Sequence, residues 1–253
     1  MSTLEGQTAL VTGASGGIGG AVAEALAARG VRLVLSGRNR ERLEATAERV
    51  RAGDAEAVVV AADLAAEGGD GRGMETALRR LAETALAAAP CGGVDLLVHA
   101  LGAYCAGPVA TTPPAELDRQ LTVNLRVPYQ LTRLLLASLI ERRGQIVFVS
   151  SSAALRPRGT VGAYAASKAA LGALAAALRD EVNAEGVRVL TVYPGRTASA
   201  MQRRVHEQEG KPYTPERLLQ PSAVASSIVH ALELPRTAEV TDLHIRPAYP
   251  PER

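Results

Sequence analysis

The stretch TALVTGASGGIGGAVAEALAARG, residues 8–30, carries the reading of the fold. TALV (8–11) is a short continuous apolar run, and TGASGGIGG (12–20) is a glycine-rich turn. The turn opens into a helical pattern in which Val22 and Leu26 stand four apart, and Gly30 suits the position just past a helix end. A strand that enters such a turn and leaves it as a helix makes a ready anion site. Glycines let the backbone approach a pyrophosphate, while the helix N-terminal amides and macrodipole favour its charge. Glycines also serve plain tight turns, so the stretch takes its meaning from the rest of the chain.

The same strand-then-helix rhythm continues toward the C-terminus. VRLVL (31–35) leads to NRERLEATAERVRA (39–52), and AVVVAA (57–62) to a helical pattern beginning near Met74. VDLLVH (94–99) precedes a long helix from about Ala115 to Ile140, and QIVFVS (145–150) precedes the helix carrying YAASK (164–168). VRVLTV (187–192) opens the last third. These runs are continuously apolar, as expected of strands covered on both faces, and repeated units of this kind imply a parallel sheet with right-handed crossovers. The expectation is a single doubly wound α/β domain over 1–253, its central parallel sheet flanked by helices, with no linker to split it. Two stretches break the rhythm. EGGDGRG (67–73) reads as a surface loop without a Walker-type lysine, and RRVHEQEGKPYTPERLLQP (203–221) is polar and proline-bearing.

Composition narrows the function. The chain has 253 residues, 47% of them hydrophobic and only 3% aromatic, so Ala, Val, Leu and Ile must build the core. A net charge of +2 without a basic block gives no electrostatic reason to expect nucleic-acid or membrane binding. Cys91 and Cys105 lack ligand spacing and read as free thiols; the histidines are scattered, so no metal site is expected. No run approaches roughly 18 apolar residues, and MSTLEGQTALVTG has no secretory-signal pattern; the expectation is a soluble, cytoplasmic protein.

The spacing T-G-x-x-x-G-x-G, with Gly13, Gly17 and Gly19, resembles the cofactor turn of classical short-chain dehydrogenases/reductases. The resemblance runs from about residue 6 to 197 and includes Asp63 after the third strand, Asn124 in VNL, Ser151, YAASK and Pro194-Gly195. It implies an NAD(P)-binding Rossmann-like domain. Gly13, Ser15, Gly17, Ile18 and Gly19 would hold the pyrophosphate, and Asp63 with Leu64 would lie beside the adenine. Pro194 and Gly195 would wall the nicotinamide, Thr197 would contact its carboxamide and Ser199 the pyrophosphate. Asp63 has an alternative role as a helix cap. The fourth strand departs from the family's Asn-Asn-Ala-Gly: here His99, Ala100, Leu101 and Gly102 stand in its place. Gly102 keeps the close approach to the cofactor, and His99 is read as structural.

The second strand ends LSGRNRER, with Arg38 and Arg40 and no carboxylate. An acid there would bind the NAD ribose and repel a 2′-phosphate, whereas a guanidinium binds that phosphate with a planar fork. The alternative is a solvated helix start, but cations at a helix N-terminus oppose the macrodipole unless an anion is near. NADP(H) is therefore expected over NAD(H).

Tyr164 and Lys168 lie four apart, on one helix face. A phenol titrates near 10, and a nearby cation would bring it down, giving a general acid for carbonyl reduction and a general base for alcohol oxidation. An isolated Y-x-x-x-K is common by chance; its neighbours give it weight. Ser151 matches the family's catalytic serine by spacing, with Ser150 and Ser152 as rivals, and would hydrogen-bond the reacting oxygen. Asn124 matches the fourth catalytic position, where the family uses it to hold the active-site helix and a water; the alternative is a polar helix break near Pro128. By resemblance Lys168 also contacts the nicotinamide ribose. The expected activity is NADP(H)-dependent reduction of a ketone or oxidation of a secondary alcohol. Its rival is a catalytically silent NAD(P)-binding sensor, favoured by His99-Ala100. A sugar epimerase of the extended family is disfavoured by the turn spacing and chain length.

The region about 200–221 falls where the family carries its substrate loop. Met201, Tyr213 and Leu218 are candidates for an apolar lining, and Arg203, Arg204 and Lys211 for an acidic group, against a plain solvated loop. The small-residue helix after YAASK suits close packing across a two-fold, and the resemblance implies a homodimer or homotetramer.

Overall fold

The computed structural model describes residues 3–65, 72–90 and 92–249. Among these are seven strands, the six apolar runs and one short mixed segment: β1 (Thr8–Thr12), β2 (Arg32–Gly37), β3 (Ala57–Ala61), β4 (Leu96–His99), β5 (Gln145–Val149), β6 (Arg188–Pro194) and β7 (Asp242–Ile245). They make one parallel sheet in the order β3, β2, β1, β4, β5, β6, β7. Because β1 pairs with both β2 and β4, the chain reverses its direction of winding there, and a crevice opens beyond the carboxyl ends of β1 and β4.

Successive residues of a strand point to opposite faces, and both faces are apolar. Ala9 and Val11 of β1 pack with Val22 and Leu26 of α1 (Gly17–Ala27), Leu43 of α2 (Arg40–Arg51) and Ile228 of the C-terminal helix (Pro221–Glu233). Leu10 faces the other way, toward Leu78 of α3 (Arg72–Ala88) and toward the helices that come after β4 and β5. This two-sided burial is why the strands read as unbroken apolar runs. No helix among the described residues is long and apolar enough to cross a membrane. Residues 67–71 of the glycine-rich stretch, and Cys91, lie outside the described residues, while Gly73 belongs to α3.

The expected helix from Ala115 to Ile140 forms as α4 (Pro114–Leu121) and α5 (Val127–Glu141), joined without a break by a π-helical turn, Thr122–Arg126. Val127 donates its N–H to Thr122, five residues back. Pro128 brings no N–H to the carbonyl four residues back, that of Asn124, and the ladder shifts by one residue just before it. After β5 come α6 (Ser152–Leu155) and α7 (Gly162–Val182).

The segment after β6 differs from the irregular loop expected. Residues Ala200–Glu209 form a helix, α8, whose N-cap Ser199 accepts the Gln202 N–H at 3.1 Å and which ends at Gly210 with φ +65. Only Val205 and His206 of α8 are buried, so its polar composition concealed the helix. The chain then returns through a 3-10 turn (Pro215–Arg217) and a bridge between Leu219 and Thr197 to α9 (Pro221–Glu233).

Candidate active site

The glycine turn is shaped by contacts that admit no side chain. Gly13 has φ +71, and a Cβ there would stand 2.6 Å from the Ala100 carbonyl oxygen, so the turn lies directly against the end of β4. A Cβ on Gly19 would overlap the Gly13 carbonyl, which brings the first turn of α1 down onto the loop. Ser15 Oγ stands 3.2 Å from the Cβ position of Gly37, and Ser199 Cβ stands 3.5 Å from that of Gly17. The turn, the end of β2 and the start of α8 therefore converge. Ile18 packs against the core beneath, and Ser36 at the end of β2 keeps a buried hydroxyl without a hydrogen-bond partner among the described residues. A backbone cradle at the positive end of a helix, left unfilled by side chains, fits the pyrophosphate of a dinucleotide.

Two cations near the end of β2 are told apart by their partners. Arg40 pairs with Glu44 of its own helix at 3.6 Å, and Asn39 caps that helix by accepting the Arg42 N–H at 2.8 Å. Arg38 sits between strand and cap, exposed, with no partner among the described residues. Asp63 is also exposed, and its carboxylate accepts the Ala65 N–H at 3.1 Å, closing a turn after β3; it does not cap α3, which starts at Arg72. Leu64 is buried in the core.

At the end of β4, His99 has a structural role. It is 1% exposed, stacks on Phe148 at 5.0 Å and shares a 2.9 Å hydrogen bond between Nε2 and the Thr132 hydroxyl of α5. Burial, helped by the nearby Lys168 charge, pushes its pKa down to about 3, so the ring is neutral. His99 thus ties the sheet to α5 where the family uses asparagine.

Three expected residues gather around Gly102. A Cβ placed there would lie 3.6 Å from Met201 Cε, 3.7 Å from Asn124 Oδ1 and 3.9 Å from Lys168 Nζ. Asn124 is fully buried in the π-turn; its amide accepts the Ala103 N–H at 2.8 Å and donates to the Ala103 carbonyl and the Ser167 hydroxyl, both at 2.9 Å. It is no helix break: it clamps the loop after β4 to α7. Lys168 is 3% exposed and donates to the Val149 carbonyl at 2.8 Å, and burial pushes its pKa down to about 8.

The three serines separate cleanly. Ser150 is buried and donates to the Lys168 carbonyl at 2.9 Å, and Ser152 begins α6. Ser151 caps α6 by accepting the Ala153 N–H at 3.1 Å, and its hydroxyl faces Tyr164. The phenol differs from expectation. Burial holds its pKa above the usual value, the Ser151 hydroxyl pulls the other way, and the neighbouring Tyr104 adds to the rise. The lowering by Lys168 expected from the sequence is absent: desolvation of the phenolate prevails, and the ammonium bonds to Val149.

Tyr104 is the residue that sequence reasoning missed. Its ring stands edge-on to Tyr164 at 5.0 Å, and it is half-buried. The available signal was an aromatic two residues past Gly102 in a chain nearly devoid of aromatics. On the α8 side, Met201 reaches the site, whereas Tyr213 packs against His206 at 5.5 Å and lies under the Arg203 guanidinium at 4.7 Å. Leu218 is partly buried, and Arg204 and Lys211 point to solvent. Arg196 holds Glu209 with two bonds of 2.6 and 2.8 Å, fastening the end of α8 to the loop after β6. In that loop Pro194 is buried, the Gly195 N–H bonds the Ile245 carbonyl at 2.7 Å, and the Thr197 hydroxyl turns back to Gly195 at 3.0 Å.

The fold and this gathering of residues agree with comparisons to known proteins. The short chain dehydrogenase family matches residues 7–210, and the chain belongs to that family of oxidoreductases. It is 32% identical to an uncharacterized short-chain type dehydrogenase/reductase of Sinorhizobium fredii, over 95% of this chain and 91% of that one. A metagenomic short-chain oxidoreductase in complex with NADP is similar at 31% identity and TM-score 0.81, covering 98% of this chain and 100% of that one. A 7 alpha-hydroxysteroid dehydrogenase complexed with NADH and 7-oxo glycochenodeoxycholic acid is similar at 25% identity and TM-score 0.83, covering 95% of this chain and 93% of that one. Nicotinamide cofactors of both kinds thus occur among similar structures.

Proposed function

We propose that this protein is an NADP(H)-dependent oxidoreductase that reduces a ketone or oxidises a secondary alcohol. One observation carries the reading: at the carboxyl ends of β4 and β5, the Tyr164 phenol faces the Ser151 hydroxyl, with Lys168 buried one helical turn further on beside Gly102 and Asn124. When bound, the cofactor supplies or accepts the hydride. Tyr164 gives its proton to the carbonyl oxygen in reduction and takes it back in oxidation; a pKa above the usual value keeps the phenol protonated and ready to donate at neutral pH. Ser151 donates a hydrogen bond to the same oxygen as charge builds on it. Lys168 positions the ribose and Asn124 holds α7 in place. Replacing Tyr164 by Phe should cut kcat by roughly 10²- to 10⁴-fold while cofactor still binds; turnover at the parental rate would sink the assignment.

Arg38, exposed at the end of β2 and without a partner among the described residues, supports NADP(H) as the preferred cofactor. With Gly13, Ser15, Gly17, Ile18, Gly19, Asp63, Leu64, Gly102, Pro194, Gly195, Thr197 and Ser199 it makes up the cofactor site we propose. Charge-assisted bonds to a 2′-phosphate imply that Arg38→Ala weakens NADP(H) by roughly 10- to 100-fold and leaves NAD(H) unchanged. Equal losses for both cofactors, read by fluorescence titration, would remove Arg38 as the phosphate reader. The stacking of His99 on Phe148 and its bond to Thr132 favour this reading over a catalytically silent sensor. The outward face of α7 carries the exposed alanines 166, 169, 173, 176 and 177, which suits a two-fold helix interface in a homodimer or homotetramer.

A further inference from the structure

Three segments lie beside Ser151 and Tyr164, and each presents a large apolar side chain. Residues 100–113, ALGAYCAGPVATTP, contain no charged residue; residues 151–163 contain no acid and two exposed arginines, Arg156 and Arg158. These two are stitched together by the Gly107 N–H, which donates to the Thr160 carbonyl at 2.7 Å. The third wall is α8. Each contributes an exposed large apolar side chain: Val109 at 90%, Leu155 at 48% and Met201 at 39%.

All three sit close to the chemistry. Val109 Cγ2 lies 3.9 Å from the Cβ position of Gly162, at the start of the helix that carries Tyr164. Leu155 is in the helical turn capped by Ser151, and Met201 reaches toward Gly102 and Lys168. The half-buried Tyr104 ring adds a fourth apolar surface, edge-on to Tyr164.

Several polar groups of these walls are already used. The Thr112 hydroxyl donates to the Pro108 carbonyl at 2.8 Å. Gln120 accepts the Cys105 N–H at 3.1 Å and donates to the Glu116 carbonyl at 3.2 Å, and both ends of the Asn124 amide are engaged. A polyol's hydroxyls would find these groups already bonded, whereas a hydrocarbon chain would gain contact with Val109, Leu155, Met201 and Tyr104.

We infer that the site takes a ketone or secondary alcohol with an extended hydrocarbon body, in preference to a polyol or sugar; this rests on the carbonyl/alcohol reading above. The test is kcat/KM over methyl ketones from butanone to decan-2-one, beside ketoses of matching length, with NADPH. Each added methylene should raise kcat/KM about fourfold until the chain passes the Val109–Leu155 rim. Val109→Ser and Leu155→Ser, both at exposed positions, should flatten the slope of kcat/KM against chain length for the longer members. Binding of the matching secondary alcohols to cofactor-loaded Tyr164→Phe protein gives a second readout that needs no turnover. A flat series, or ketoses as the better substrates, overturns the inference while the carbonyl reading stands. Length-dependent alcohol binding with no ketone turned over keeps the inference and overturns the chemistry. Length-independent binding overturns the inference by itself.

Discussion

Replacing Lys168 by methionine should make this protein more stable at neutral pH while removing its proposed activity. Lys168 is 3% exposed, and burial lowers its pKa from 10.5 to about 8. That difference corresponds to about 3 kcal/mol for keeping an ammonium out of water. Below pH 8 the group is charged in both folded and unfolded chains, and the full cost opposes folding. Between 8 and 10.5 the folded protein releases its proton before the unfolded chain does, so stability rises with pH and the cost falls to about 1 kcal/mol by pH 9.5. Methionine has a similar length and no charge, but it leaves the Val149 carbonyl without its donor, a loss of about 1 kcal/mol. The variant should therefore gain about 2 kcal/mol at pH 7, or roughly 4–8 °C in Tm for a chain of this size, and about nothing at pH 9.5. Urea unfolding of both proteins at equal concentration, monitored by circular dichroism at the two pH values, measures the difference. Groups that titrate in both proteins cancel. A variant less stable than its parent at pH 7, or a difference that ignores pH, would show that this lysine is not held as a buried charge.

Asn124→Ala should cost about 2–4 kcal/mol, because it strands the buried N–H and carbonyl of Ala103; a loss under about 1 kcal/mol in the same unfolding assay would mean water satisfies them instead. His99 makes the protein acid-sensitive. Its folded pKa of about 3 lies below the ordinary 6.5, so as pH falls through 6.5 the unfolded chain takes up a proton that the folded one refuses. By pH 5 this removes about 2 kcal/mol of stability, and His99→Gln should lessen the loss between pH 7 and 5 by that amount; parallel losses in parent and variant would contradict it.

The parallel sheet was legible in the sequence because strands buried on both faces must be apolar at every position. Gly13 and Gly19 were legible for a related reason: backbone lies where a Cβ would be, so no other residue fits. The order of chemistry-bearing residues along the chain was likewise readable, since α7 sets Tyr164 and Lys168 one turn apart by geometry alone. Helix α8 was hidden because it buries only Val205 and His206, too few to print a period on a charged sequence.

Distance, solvent exposure and partner choice belong to the tertiary structure. The sequence placed a cation four residues from a phenol, but packing turned that cation toward Val149 and left burial to set the pKa of Tyr164. It offered three adjacent serines, and only the packing of β5 against α7 committed Ser150 to a backbone carbonyl and turned Ser151 toward the site. Tyr104 and Tyr164 are sixty residues apart in the chain and in ring contact in the fold. Pattern and spacing report which residue types a local element can bear. Which of them meet, and how much water they keep, depends on elements far apart in sequence that only folding brings together.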